Sequence, residues 1–253
     1  MFNRIWKKIV AAISMLALQT SLASASVTMV NTRVIYPSSA REVSFDLSNQ
    51  DNNPNVIQLW VDSSDMTSTP DNADAPFVVS PPMFRMEPKV NQTVRITFTG
   101  ADLPQDRESV FYLNMVQIPP VDAANADQNQ MLVMLRNRVK LFYRPSTIKG
   151  KVENVADQLR FHIKQVGAEW RISAENSSGY FISLISGKVS SGAQESLFAP
   201  SMIAPSSSAD WELKNFKFDA QQPARVKFSF INDYGGVSDG ESTILPATLP
   251  AVR

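Results

Sequence analysis

The chain has 253 residues, 24 Lys and Arg against 24 Asp and Glu, one His and no Cys. Without surplus base it has no means of gripping a phosphate backbone, so nucleic acid is not an expected partner. The missing thiols exclude disulfides, thiolate metal sites and a Cys nucleophile.

The N-terminal stretch carries Arg4, Lys7 and Lys8, an apolar run over residues 9–18, and Ala23 and Ala25 in A-x-A spacing. This is the pattern of a secretory signal peptide, residues 1–25. Its apolar run is shorter than the roughly 20 residues of a membrane span, so the expectation is a soluble exported chain from Ser26 with no membrane insertion. Removing three bases and no acids leaves 21 Lys and Arg against 24 Asp and Glu.

Short alternating runs follow: "VTMVNTRVIY" from Val27, "EVSFDLSN" from Glu42, "VIQLWVD" from Val56, "TVRITFTG" from Thr93 and "SVFYLNMVQI" from Ser109. A second series begins after residues 145–150: "QLRFHIKQV" from Gln158, "EWRISAEN" from Glu169, "YFISLISGKV" from Tyr180, "ADWELKNF" from Ala209 and "ARVKFSFINDYGG" from Ala224. Runs rich in Val, Ile, Thr and aromatics, bounded by Pro, Asn, Asp, Ser or Gly, predict an all-β chain. The length suits two immunoglobulin-like β-sandwich domains, residues 26–145 and 146–253, with the hinge at 145–150.

Catalytic groups are sparse. His162, the only histidine, sits in an alternating run, where an ordinary strand residue is the expectation and a multi-His metal site is excluded. "DNNPN" and "PDNADAP" lack the spacing of a calcium loop and read as turns. No nucleophile motif has a base in view, so an enzyme is not expected, and no cofactor or metal is implied.

The stretch "QMLVMLRNRVKLFYRP", residues 130–145, stands apart. As one strand it would be about three times the usual length. Its odd positions Met131, Val133, Leu135, Val139 and Leu141 would share a face, and Leu132 and Met134 make the first end apolar on both. A buried central strand is one reading. The other is an edge that offers backbone and apolar side chains to a second chain, the strand-addition mode of recognition.

These residues, with "TRVIYP" (32–37), "QLWVD" (58–62), "FVVSPPMFRMEP" (77–88), "LPQDRESVFYLNMVQIPP" (103–120), "VKLFYRP" (139–145) and "INDYGG" (231–236), resemble the periplasmic chaperones of chaperone/usher pilus assembly, the PapD-like proteins. The resemblance implies two immunoglobulin-like domains in a boomerang and a periplasmic chaperone that binds, folds and caps pilus or fimbrial subunits by donor-strand complementation. It implies that such a chaperone then passes them to an outer-membrane usher. It implies that Arg33 and Lys140 anchor the subunit's C-terminal carboxylate, that Met131, Val133 and Leu135 are donor residues, and that Glu108, Arg144 and Asp233 form a buried charge network between the domains. The short segment 121–129 resembles the short-loop branch of the family, from the sixth to the seventh strand of the first domain. Whether the free protein hides its donor strand by self-association stays open. So does a second class, a secreted two-domain immunoglobulin-like adhesion or ligand-binding module. Lys140 and Leu135 lie five residues apart, on opposite faces of an ideal strand, so a twist, bulge or bend near Asn137 is expected if both meet one partner.

Overall fold

The computed structural model describes residues 26–121, 131–219 and 221–245. The signal-peptide assignment and nearly all of the short segment 121–129 lie outside the described residues. The first half contains β1 (Val27–Met29), β2 (Arg33–Pro37), β3 (Val43–Asn49), β4 (Asn55–Asp62), β5 (Phe77–Ser80), β6 (Met83–Met86), β7 (Asn91–Phe98), β8 (Ser109–Ile118) and β9 (Leu135–Arg144). The second contains β10 (Leu159–Val166), β11 (Glu169–Asn176), β12 (Ile182–Ser191), β13 (Gln194–Phe198), β14 (Met202–Ile203), β15 (Ser207–Leu213), β16 (Ala224–Ile231) and β17 (Val237–Ile244).

The alternation in the sequence becomes two sandwiches because each strand turns every second side chain inward. In the first, the sheet β1-β3-β7-β5 faces β2-β9-β8-β4-β6. Their inner faces meet over a core that includes Tyr36, Phe77, Phe111 and Tyr143. The buried Tyr36 hydroxyl donates to the carbonyls of Ala40 and Arg41 and accepts from the Phe98 amide at 3.1 Å, so its polar tip is satisfied within the core. The second sandwich packs β10-β11-β15 against β13-β12-β16-β17 around Phe161, Ile172, Val189 and Phe228. These are two immunoglobulin-like β-sandwich domains.

The run read as one strand from Val27 is two. β1 pairs antiparallel with β3, and β2 pairs parallel with β9, starting at Arg33 opposite Lys140. The chain thus crosses from one sheet to the other within residues 30–32, and it covers the edge of β9 only from Lys140 onward.

The long strand is also shorter than its sequence suggests: β9 begins at Leu135, with Met131 and Val133 ahead of it. The limit comes from the neighbour. β8 ends at Ile118, and Leu135 faces Gln117, the last pair in the ladder. Pro119 and Pro120 follow and have no amide proton to continue it. From Ser109 opposite Tyr143 to Gln117 opposite Leu135 the register is unbroken. The expected bulge or bend near Asn137 is therefore absent from the ladder. Leu135 stays on the inner face with Val139 and Leu141, while Lys140 points to the outer face.

Candidate functional site: a cationic cleft beside an open strand edge

Three features converge where β2 and β9 meet the second domain. The first is a pair of cations. Arg33 and Lys140 are register partners on adjacent parallel strands, about 4.8 Å apart in backbone spacing. Arg33 donates from Nη1 to the Ile231 carbonyl across the domain boundary at 3.0 Å, and its guanidinium lies 5.5 Å from the centre of the Phe142 ring. Among the described residues its buried Nε has no partner. Burial holds the Arg33 pKa below its ordinary value, partly offset by Asp233 and Glu108. Lys140 is also held low, first by burial and then by the Arg33 charge, with no acidic group offsetting either. Two like charges, half-withdrawn from water, form a site suited to an anion.

The second feature is the charge network between the domains. Arg144 donates from Nε to Glu108 at 2.6 Å and from both terminal nitrogens to Asp233 at 2.6 and 2.9 Å. The other Glu108 oxygen accepts the Phe181 amide at 2.8 Å. Glu108 is almost wholly buried. Burial raises its pKa, and Arg144 and the Phe181 amide pull it back down. Arg144 is pushed above its ordinary value, its two carboxylate partners outweighing desolvation. Around this core the domains touch closely. The Glu108 amide donates to the Gly179 carbonyl at 2.8 Å, and Phe142 meets Phe181 with ring centres 5.6 Å apart. A Cβ on Gly179 would lie 2.7 Å from Ile148 and 2.8 Å from the Asp106 carbonyl, so this approach requires glycine.

The third feature is the open edge. Over residues 135–139, β9 is bonded to β8 on one side, whereas β2 on the other side starts only at Lys140. Beside that edge lie exposed apolar side chains: Met131 at 91%, Val133 at 58% and Leu135 at 46%, with Leu132 and Met134 also exposed. Edges of this kind are usually blunted, because they template pairing with other chains.

Arg33 and Lys140 are thus brought together as a pair, and Glu108 with Arg144 and Asp233 as a triad. Only Leu135 of the three donor candidates lies in the strand. Sequence reading missed the Ile231 carbonyl that holds Arg33, and it missed a second charge cluster in which Asp62 binds Arg136 and Arg138. Its signal was present in the alternation of "WVD" and "RNR", but nothing in spacing pairs segments more than 70 residues apart.

Comparison with known proteins matches the same halves. Residues 26–149 match the family model described as "Pili and flagellar-assembly chaperone, PapD N-terminal domain", and residues 154–242 the model "Pili assembly chaperone PapD, C-terminal domain". The chain is 33% identical over 228 residues to the probable fimbrial chaperone YadV of Escherichia coli K12, covering 89% of this chain and 92% of that one. It is 32% identical to the chaperone protein PapD of Escherichia coli, over 91% of this chain and 90% of that one. Among solved structures, the YadV chaperone superposes with a TM-score of 0.73 at 31% identity, covering 87% of this chain and all of that one. The Salmonella enterica SafB chaperone, solved in complex with the SafA pilin, gives 0.71 at 26% identity over 88% and 99%. Two sandwiches joined through a partly buried arginine and a buried glutamate, with an open edge beside a pair of cations, therefore occur in a chain that belongs to the PapD-like family of pilus-assembly chaperones.

Proposed function

We propose that this chaperone acts in the periplasm, capturing pilus subunits on the open edge of β9 and delivering them to an outer-membrane usher. One observation carries the reading: the unpaired stretch 135–139 runs directly into Lys140 and Arg33, a cation pair with no acidic group acting on Lys140. A strand added along that edge would gain main-chain hydrogen bonds. Its terminal carboxylate, placed between Arg33 and Lys140, would gain charge-assisted ones and fix the register. The apolar row supplies the rest. Burying Met131, Val133 and Leu135 in a groove of the subunit is worth about 1.5–3 kcal/mol each as an upper scale.

The unbroken register supports separate tasks for the two ends of β9. The inner-face row that fills the sandwich at Leu141 and Val139 continues past the core as Leu135, so the chaperone extends its own core pattern into the partner. The cations face outward toward the domain junction. The subunit therefore meets β9 along its edge, with side chains from one face and charge from the other. In this assignment residues 26–145 form the capturing domain, and residues 146–253 form the domain that completes the cleft. Glu108, Arg144 and Asp233 set the angle between them. The role is non-catalytic and calls for no cofactor. Without a subunit the same open edge is the surface on which two copies would pair, and the mass of the free protein by light scattering tests this.

The direct test is periplasmic co-expression with a pilus subunit, followed by purification through a tag on the chaperone. A one-to-one complex is the expected result; failure with every subunit tried, while the chain stays folded, would refute the reading. Leu135→Asp should reduce recovery by at least tenfold, because it would carry an unpaired charge into an apolar groove. Full recovery with Leu135→Asp would remove the strand from the donor role.

A further inference from the structure

The outer face of β9 holds a charge cluster that subunit capture, as described above, does not use. Asp62, at the end of β4, is fully buried. Its Oδ2 accepts from Ser68 Oγ at 2.7 Å and from Asn114 Nδ2 at 2.6 Å, and its Oδ1 accepts from Arg138 Nη2. Arg136 Nη2 lies 3.8 Å from the same carboxylate. Arg136 also donates to Asn114 Oδ1 at 2.8 and 3.2 Å, to Ser68 Oγ at 3.2 Å and to the Met66 carbonyl at 2.9 Å. Each guanidinium lies over a ring: Arg138 at 3.9 Å from the centre of Tyr112 and Arg136 at 4.9 Å from Trp60.

The registers explain how these groups meet. Trp60 lies opposite Asn114, and Asn114 opposite Arg138, so β4, β8 and β9 place them in one row across the sheet. Alternation then puts Asp62, Tyr112 and Arg136 beside that row on the same face. The loop after β4 folds back over the face and adds Met66 and Ser68 to the cluster. Every arginine side chain on residues 135–139 is therefore tied inward, to a carboxylate 74 or 76 positions away in the chain.

The location gives this arrangement its consequence. Among the described residues, 135–139 are hydrogen-bonded on one side only, and an edge segment of this kind frays more readily than an enclosed strand. An untethered Arg136 or Arg138 could also swing across the open edge and carry a charge toward an apolar groove, which is costly. Tied down, both leave only the inner-face row to project toward a partner.

We propose that Asp62 is a positioning residue for subunit capture. Through Arg136 and Arg138 it holds the open edge of β9 flat and determines which face of the donor strand the subunit meets. The capture step in this proposal rests on the function proposed above; the ordering of the edge does not. A ligand's apparent affinity scales with the fraction of protein in the competent conformation. An edge ordered one-tenth of the time would therefore bind about tenfold more weakly.

The test compares the mature wild-type chain with Asp62→Asn, Arg136→Gln and the double variant Asp62→Asn/Arg138→Met, which removes both buried charges together. Amide hydrogen exchange is followed over residues 131–144 and over β3 and β7 as an internal reference. Capture is measured as bound subunit per chaperone after periplasmic co-expression with one pilus subunit. The expected result for Asp62→Asn is at least tenfold faster exchange confined to residues 135–139 and about tenfold lower capture, with neither restored in the double variant, which leaves no unpaired Arg138 charge but still lacks the tether. Arg136→Gln, altering the more exposed arginine, should show the same pattern more weakly and serves if Asp62→Asn does not fold. Unchanged exchange at the edge, or faster exchange with unchanged capture, overturns the proposal. So does recovery of both in the double variant, which would make an unpaired Arg138 charge the cause, and so does uniformly faster exchange in both sheets, which would make Asp62 a stability element only. If the wild-type chain captures no subunit, the function proposed above fails, and the exchange result alone still decides whether Asp62 orders the edge.

Discussion

Lys140→Ala should abolish recovery of the subunit complex while the chaperone unfolds at the same temperature as the wild type or slightly higher. The asymmetry follows from the free state. Lys140 is half-buried beside Arg33 with no acidic group offsetting either penalty, so removing its charge relieves repulsion and desolvation in the empty protein. In the complex the same truncation leaves a carboxylate with one cation instead of two. Losing one partner of a buried, hydrogen-bonded charge pair costs about 2–5 kcal/mol, a loss of about 30-fold or more in affinity. Arg33→Ala is a less clean test, since Arg33 also bonds the Ile231 carbonyl across the junction and its loss would disturb the domain contact as well.

A pH series sharpens the same test. The Lys140 pKa is lowered in the free protein, and a bound carboxylate would raise it, so binding takes up a proton wherever the free lysine is partly neutral. Affinity should therefore fall as pH rises through the lowered pKa of the free lysine. Titration calorimetry in two buffers of different ionisation enthalpy reads that proton uptake. A wild-type affinity that is flat into the alkaline range, together with full capture by Lys140→Ala, would remove Lys140 from the anchor.

Much of the fold was legible because strand alternation is local. In "VIQLWVD" and "SVFYLNMVQI" each inward residue is separated from the next by one outward residue, and β4 and β8 bury the positions so indicated. What alternation does not encode is the partner of a strand. The run from Val27 reads as one strand, yet its alternation breaks over Asn31, Thr32 and Arg33, the chain changes sheets there, and that change leaves residues 135–139 without a partner on the β2 side among the described residues. The end of β9 was likewise hidden, since it is set by Pro119 and Pro120 on a different strand. Glu108, Arg144 and Asp233 were reached through family resemblance rather than spacing, and the structure joins them directly. The Asp62 cluster had no such guide: its members are ordinary residues until three strands are laid side by side.

Arg144→Met should produce the largest loss of stability of any substitution considered. Arg144 alone neutralises Glu108, whose side chain is 2% exposed, and it also binds Asp233, at 25%. Removing one member of a buried ion network costs about 3–5 kcal/mol, because the remaining charge is left uncompensated. Most of that deficit should fall on Glu108, the more deeply buried acid. The direction of its pKa gives the pH dependence. Burial already raises Glu108 in the folded wild type, with Arg144 pulling it down; without Arg144 it rises further. A carboxyl raised in the folded state favours folding below its unfolded pKa, near about 4.3, and that contribution is lost as pH rises through the folded value. The variant's deficit should therefore be largest at neutral pH and shrink steadily on acidification, as Glu108 becomes a neutral donor. Because the network spans both sandwiches, the variant should also uncouple them. Urea unfolding followed separately in each domain should give coincident transitions in the wild type and two separated ones in Arg144→Met, the test of cooperative unfolding. Coincident transitions at an unshifted midpoint in the variant would mean that the glycine and aromatic contacts at Gly179 and Phe181 hold the domains together without the charges.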